Sequence, residues 1–507
     1  MAKLEADVIV IGGGASGITA AVAAAEKDAS VIVIEKGKTT GGAANMGMGL
    51  FAVESKYQKA QLVDFTKEDA YNFLMEFTHH NTNSRLVRRY IEQSGETIDW
   101  LEAIGVQFLG SFKYFEGSKQ TWHIVKTAGS NLPAERAASN MFKALTDRAR
   151  ELEVDILFET KALKIVTEDG HVTGVEIEHP DGSTEIAESS AVIVASGGFG
   201  DNPDMIKKII GLEWGKNLFS FRIPGIKGEG LNMMWDSGAG ENTPVLEQTY
   251  TIPGVTDVFK TVSETMRQPI LMVNLDGKRF INEEKLNNPV YTGNAIRRQK
   301  LQTGFTIIDE SVLDYYRKKG LDYITVHHNV KTVDHWEKEV SDILSGKGSE
   351  AAEEGSLGDL SAGLLAKDFF YAADSIEELC EKTGIDEKGL KETIAQYNEF
   401  VAEGDQDFFK HQKYMHPMTG GRVYAAQHYP CGYGTLGGVN VTDCMEVLDG
   451  GGDKIPGLYS CGTDACGIFG DTYCFYLPGN TMGFAVNSGR IAGYEAVDYI
   501  DSDDFVE

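Results

Sequence analysis

Three glycines, Gly12, Gly14 and Gly17, stand in a G-x-G-x-x-G spacing with Ala15 and Ser16 between the last two. In that pattern the first glycine allows a tight turn and the second lets the backbone approach a pyrophosphate. The third lets the following helix pack closely on its strand. A helix beginning there presents free N–H groups and a partial positive charge to phosphates. Glu35 stands 18 residues after Gly17, followed by Lys36. A carboxylate at that place can accept hydrogen bonds from both ribose hydroxyls of an adenosine, and it repels a 2′-phosphate, which argues against NADP. Two more glycine-rich stretches decide between cofactors. TTGGAANMGMG supplies Gly41, Gly42, Ala43, Asn45, Gly47 and Gly49, and ASGGFG supplies Ala195, Ser196 and Gly197. An NAD dehydrogenase does not need them. A flavin enzyme does, because its chain passes close to the isoalloxazine ring and the ribityl chain. FAD is therefore the expected cofactor, and Ala162 is assigned to the same site.

The elements that must position these residues are also legible. DVIVI (Asp7 to Ile11) reads as a buried parallel strand, ITAAVAAAEK as a helix and SVIVIEKG as a second strand, giving a β-turn-α-β unit. Leu157 to Ile177 alternates apolar and polar residues around Gly170, which predicts a hairpin, and SAVIVASGGFG reads as another buried strand ending in glycines. From about residue 247 to 433 the character changes. Short mixed elements, an acidic stretch EAAEEGSLGD and a predicted helix LKETIAQYNEFVAEG suggest an inserted domain. LYSCGTDACG through GNTMGFAVNSGRIAGYEAV then returns to strand, glycine loop and helix. The expected division is 1–246 and 434–507 for cofactor binding, with 247–433 inserted.

A chain of 507 residues is too long for one ordinary core. Its apolar and charged fractions, 42% and 24%, are those of a soluble globular protein. No apolar run has the roughly 18 residues of a membrane helix, and MAKLEADVIVIGGG lacks the features of a signal peptide, so a cytoplasmic location is expected. The formal charge of −29 disfavours nucleic acid and anionic membranes and would suit a basic electron-transfer partner. Five of six cysteines (Cys431, Cys444, Cys461, Cys466, Cys474) lie near the C-terminus without CxxC, haem or ferredoxin spacing. They read as reduced thiols, with a redox-active Cys461–Cys466 pair as the alternative. The histidines, His327-His328 included, have no metal-ligand spacing, and no metal is assigned.

GGGASG, VIVIEKG, TTGGAANMGMG, ASGGF, KGEGLNMMWDSGA, NLDGKRFINE, YGTLGGVNV, GLYSCGTDACG and GNTMGFAVNSGRIAG occur in one order over nearly the whole chain. In this the sequence resembles the fumarate reductase/succinate dehydrogenase flavoprotein-like family, which includes urocanate reductases and 3-ketosteroid dehydrogenases. The resemblance implies an α/β fold, with a Rossmann-type FAD-binding domain interrupted by an α+β capping domain and substrate held between cap and flavin. It places Asp464 near the ribityl chain. Gly479, Asn480, Thr481 and Met482 open the last helix, whose N-terminus would face the N1–C2 oxygen edge of the flavin and stabilise the reduced anion. The glycine loop after the second strand carries no His of the kind that attaches FAD covalently in some members, so noncovalent FAD is expected. No haem, flavin-transfer or iron–sulfur motif accompanies the chain, which implies a separate electron donor, a protein or a reduced cofactor.

Fumarate reductases hold a dicarboxylate with two His and an Arg and protonate with another Arg. Against that pattern Tyr250 stands for the first His, Tyr433-Gly434 for the second, and Tyr476 for the substrate Arg. Asn287, or nothing, stands for the acid Arg. All four changes remove cations. Losing a bidentate Arg–carboxylate contact removes the strongest anchor for a carboxylate, so a neutral, larger, partly aromatic or alicyclic substrate is expected. Tyrosines offer stacking area and hydroxyls that polarise a carbonyl. Glu264 and Arg267 resemble the family's proton-delivery pair and equally fit an ordinary ion pair, while Arg279 and Glu283 read as structural. The resemblance implies hydride transfer from flavin N5 to an activated C=C bond of an enone or enoate, with Tyr433, Tyr476 or Tyr250 as donor. The alternatives are a ketosteroid-type dehydrogenase forming the double bond, and a flavoprotein that carries electrons without an organic substrate of its own.

Overall fold

The computed structural model describes residues 4–127, 129–131, 136–219, 223–256, 258–325, 329–347 and 365–502. The acidic stretch EAAEEGSLGD and His327-His328 lie outside the described residues. The chain divides into two compact units, one of residues 1–210, 224–246 and 435–507, the other of residues 211–223 and 247–434. The second unit thus takes residues 211–223 and Gly434 in addition to the expected 247–433.

The first unit is α/β. Strand β1 (Glu5–Ile11) leads through the glycine turn into helix α1 (Ala15–Ala25) and back into strand β2 (Val31–Glu35). β1 pairs in parallel with β2, Val8 opposite Val31 and Ile11 opposite Ile34, and on its other side with the strand Thr184–Val194. Strands Asp155–Phe158 and Lys454–Ser460 extend the parallel sheet outward. Val8 to Val10 and Ile32 to Ile34 are buried, as a strand covered on both faces requires. Strands Lys161–Glu168 and His171–Glu178 form the hairpin around Gly170 and join the sheet through the start of Thr184–Val194.

Every residue of α1 is buried. Its small side chains let the C-terminal helix Asn480–Ile500 lie directly on it: a Cβ on Gly489 or Gly493 would overlap the carbonyl oxygens of Ser16 and Ala20. A separate three-stranded antiparallel sheet joins Gly49–Phe51, Trp122–Val125 and Phe108–Phe112.

The second unit is built on a five-stranded sheet. Leu271–Val273 pairs antiparallel with Gly304–Asp309, and that strand with Val423–Leu436, which also takes Phe370–Ala373. Its core includes Trp336, Phe370 and Tyr424, with the Trp336 and Tyr424 rings edge-on at 5.2 Å. The predicted helix is present as Glu387–Glu403, capped by the Asp386 side chain on the Gly389 amide. Among the described residues no helix is long and apolar enough to cross a membrane, and no group of His, Cys, Asp and Glu could hold a metal ion.

Candidate functional site

The glycine turn of the first unit is a cradle made of backbone. Gly12 has φ of +99°, and a Cβ there would stand 2.5 Å from the Ala195 carbonyl oxygen, while one on Gly17 would overlap the Gly12 oxygen. Only glycine lets the two strand ends and α1 meet this closely. Gly14 has open space where its Cβ would be, and it caps α1 without a side-chain hydrogen bond. The first-turn amides of α1 therefore remain available to an anion. Gly41 joins the same turn, its amide donating to the Gly13 carbonyl at 2.8 Å.

Glu35 accepts from the Gly13 amide at 2.8 Å and the Gly37 amide at 2.5 Å, one on each carboxylate oxygen. A carboxylate has about four lone-pair sites, so this one is held in place and can still accept two hydroxyls. Beyond it the Thr160 amide donates to the Glu35 carbonyl, which leads to Ala162 at the start of the hairpin. Lys36 points elsewhere, pairing with Glu229 at 2.7 Å.

Asp464 is fully buried. Its carboxylate accepts from the amides of Ser196, Gly197 and Gly198 at 2.6, 3.1 and 2.7 Å and from the Ser196 hydroxyl at 3.0 Å. Burial pushes its carboxyl up from the usual range, and those amides oppose the shift by binding the ionised form. Asp464 thus pins the second glycine stretch, a task that spacing alone does not reveal. The loop with Asn45 and Gly47 is fastened by the Asn45 amide to the Thr40 carbonyl at 2.9 Å. Gly47 meets the Met482 side chain at the opening of the C-terminal helix.

That helix also starts without a side-chain cap, at Gly479. The buried Tyr90 hydroxyl donates to Asn480 Oδ1 at 2.7 Å, which fixes the amide's orientation. Asn480 Nδ2 and Thr481 Oγ1 are then left buried with no partner among the described residues. Buried polar atoms are rarely left so, and leaving one unpaired costs about 1–3 kcal/mol. A donor held by Tyr90, beside uncapped helix amides, fits the electron-rich pyrimidine edge of a flavin. The phosphate-facing and flavin-facing groups both fit FAD.

In the second unit Tyr250 is buried, and its hydroxyl donates to the Leu286 carbonyl at 2.8 Å. Burial raises this phenol well above its ordinary range. Its proton is committed to the 3₁₀ turn Glu283–Asn287, which carries the position expected to replace the acid Arg. Tyr250 therefore acts on that turn as a positioning residue. The Arg267 guanidinium lies over the Tyr250 ring at 5.0 Å and donates to its carbonyl at 2.9 Å, with Glu264 one turn earlier in the helix Lys260–Thr265. Both are half-buried, unlike a solvated surface pair. Tyr433 is half-buried near the end of Val423–Leu436 and belongs to the second unit, whereas Tyr476 is half-buried in the first.

Arg279 and Glu283 belong to a buried ionic cluster. Arg279 bonds Glu283 at 2.7–2.8 Å and Asp405 at 2.8–2.9 Å, and Lys410 lies 3.6 Å from Glu283. All six cysteines are free, and burial pushes the Cys461 and Cys474 thiols up to about 12, which leaves neither a ready nucleophile.

Two groups escaped the sequence reading. One is His428, fully buried, whose ring 5.3 Å from Tyr250 is held neutral by burial. The other is a set of rings from the turn FKYF and the run CFYLPGN, packed around Tyr476. The density of aromatics in those two short stretches was the available signal.

The FAD binding domain family model matches residues 7–481. The chain is 32% identical over 504 residues to the vinyl phenol reductase of Lactiplantibacillus plantarum, covering 97% of this chain and 96% of that one. It is 26% identical over 495 residues to a fumarate reductase (cytochrome) of Shewanella frigidimarina, covering 97% and 77%. The 3-ketosteroid delta1-dehydrogenase structure from Sterolibacterium denitrificans shares the fold, with a TM-score of 0.73 at 18% identity over 98% of this chain and 100% of that one.

Proposed function

The chain belongs to the FAD-binding domain family, as one of its fumarate reductase-like flavoproteins, and from that premise we propose that it reduces an activated C=C bond in a neutral substrate larger than a small dicarboxylate. It is an FAD-dependent oxidoreductase of the kind that acts on C=C bonds. The observation that carries the substrate reading is the run before the C-terminal helix. CFYLPGN puts half-buried Tyr476, and no cation, four residues ahead of the uncapped helix N-terminus and of the Asn480 and Thr481 atoms that have no partner among the described residues. The vinyl phenol reductase, similar along its whole length, is named for a neutral aryl alkene, which supports the same class.

When bound, reduced FAD supplies a hydride and a side-chain acid supplies a proton, so that the alkene gains two electrons and two hydrogens. Glu35 and the first turn of α1 hold the adenosine and pyrophosphate end. The first turn of the C-terminal helix, with Asn480 Nδ2, stabilises negative charge at the pyrimidine edge. Either Tyr433 or Tyr476 polarises the group conjugated to the double bond and donates the proton. Tyr250, with Arg267 over its ring, holds the 283–287 turn. A capping role for the second unit, and a separate electron donor, belong to this reading.

The test is anaerobic. Enzyme-bound flavin is reduced chemically and mixed with 4-vinylphenol, enones, cinnamates, urocanate, fumarate and steroids. Rapid reoxidation by neutral alkenes is expected, and Tyr433→Phe or Tyr476→Phe should slow it by about 100-fold. Reoxidation by fumarate alone would contradict the proposal. In a parallel mixture started from oxidised enzyme-bound flavin, reduction of that flavin by a saturated ketosteroid would instead support a dehydrogenase.

A further inference from the structure

The C-terminal segment that precedes the last helix does not stand alone. The turn between strands Phe108–Phe112 and Trp122–Val125 is fastened to it: the Lys119 amide donates to the Tyr476 carbonyl at 2.8 Å and the Thr121 hydroxyl to the Pro478 carbonyl at 3.1 Å. Inside the turn the buried Ser118 hydroxyl oxygen accepts from the Tyr114 and Phe115 amides at 3.0 and 3.2 Å and donates to the Phe115 carbonyl at 2.8 Å. That fixes the backbone from which two rings project.

The rings interlock. Tyr114 meets Phe475 edge-on at 4.6 Å and lies tilted to Trp122 at 5.4 Å. Phe115 lies parallel to Phe475 at 6.2 Å and edge-on to Tyr476 at 5.3 Å, and Phe73 reaches Tyr476 at 6.0 Å. These are the offset and edge geometries that aromatic pairs favour, at 4.5–7 Å. Burial divides the cluster into a back and a front. Phe115 and Trp122 are buried, whereas Tyr114, Phe475 and Tyr476 are only half-buried. Tyr476 stands four positions before Asn480, so its backbone lies within about 14 Å of the helix opening that fits the flavin.

We propose that Tyr114, Phe475 and Tyr476 form a wall against which an aryl-substituted alkene lays its ring, so that the 113–121 turn helps select the substrate. This rests on the reading that the enzyme reduces C=C bonds, and it adds the aryl class and the turn that recognises it. A wall already built in offset and edge-on contacts accepts one more ring at little rearrangement. A saturated ring of the same outline gains the apolar burial but not the preferred ring geometry.

The experiment reads binding rather than turnover. FAD-loaded protein is titrated calorimetrically with 4-ethylphenol and with 4-ethylcyclohexanol, neither of which has a C=C bond to reduce. The wild type should prefer the aromatic ligand by about tenfold. Tyr114→Leu and Phe475→Leu should each remove most of that preference, while Tyr114→Phe, which keeps the ring, should retain it. Equal affinity of the wild type for both ligands overturns the proposal, and so does an equal loss of both ligands in the leucine variants. Tyr114 lies on a surface turn distant in sequence from the helix opening, so its leucine variant keeps the test available if Phe475→Leu loses FAD. A wild type that shows the ring preference but reduces no alkene would support the wall and contradict the preceding reading.

Discussion

In the first unit the groups that face a ligand are backbone amides and the gaps left by glycine. In the second, the strongest polar groups are side-chain ions that face one another. The cradle of Gly12, Gly14 and Gly17 leaves helix amides uncapped, and at the opening of the C-terminal helix Asn480 Nδ2 has no partner among the described residues. The Arg279, Glu283, Asp405 and Lys410 cluster is nearly closed off from solvent, with two positive and two negative charges in mutual contact. One region keeps donors open at a cost in stability. The other is paired so completely that removing a single member strands a buried charge. The contrast separates a site that binds from a knot that holds.

The largest expected effect breaks the first side of that contrast. Gly17→Val would drive its side chain into the Gly12 carbonyl, and the purified protein should carry no flavin by its visible absorbance. Stoichiometric FAD in that variant would mean the cradle is not the dinucleotide site. Next, Asp405→Asn should cost about 3–5 kcal/mol in denaturant unfolding, with flavin content per folded protein unchanged. Parallel loss of FAD would show that the two regions are not separable.

Acid should act on stability in two windows. His123, in the first unit, donates from Nδ1 to the Thr121 carbonyl at 3.0 Å and accepts the Ser55 hydroxyl at Nε2 at 2.6 Å; burial lowers it to about 4. Native His123 stays neutral while the unfolded chain takes up a proton. Stability is therefore lost as pH falls from about 6.5 and the loss ends near 4, on the order of 1–3 kcal/mol. His428 adds to the same decline. Burial opposes ionisation of Asp405, but Arg279 overrides it and holds the carboxyl at about 2, so its contribution is complete above about 4 and disappears as pH falls through 2. Unfolding free energy against pH should fall in these two steps, and a flat profile between 6.5 and 4 would contradict the buried neutral histidines.

The smallest effect sharpens the contrast. Thr481→Val removes a hydroxyl with no partner among the described residues, so apoprotein stability should hold or rise by about 1 kcal/mol. FAD affinity should nevertheless fall by about tenfold, because the ligand is the missing partner. A destabilised apoprotein with unchanged FAD affinity would place that hydroxyl in the fold rather than the site.

The same contrast explains what could be read in the sequence. A glycine turn is local: its spacing, the flanking apolar strands and Glu35 fall within about thirty residues, and each has its own steric reason to be there. The roles of Asp464 and Asp405 are not local. Asp464 meets amides 266–268 residues away, and Asp405 meets Arg279 across 126 residues, so neither partner can be named from spacing. Tyr250 was expected to face substrate because it stands where the resemblance puts a substrate His, and its hydroxyl donates to the Leu286 carbonyl. The division at 211–223 escaped notice because that short piece has no compositional boundary of its own. The aromatic wall was spelled out in FKYF and CFYLP but required the 113–121 turn to fold back onto the C-terminal segment.

The most direct measurement gives chemically reduced, FAD-loaded enzyme an equimolar mixture of 4-vinylphenol and fumarate under anaerobic conditions and identifies the single-turnover product. The account predicts 4-ethylphenol with no succinate. Succinate as the main product would contradict it.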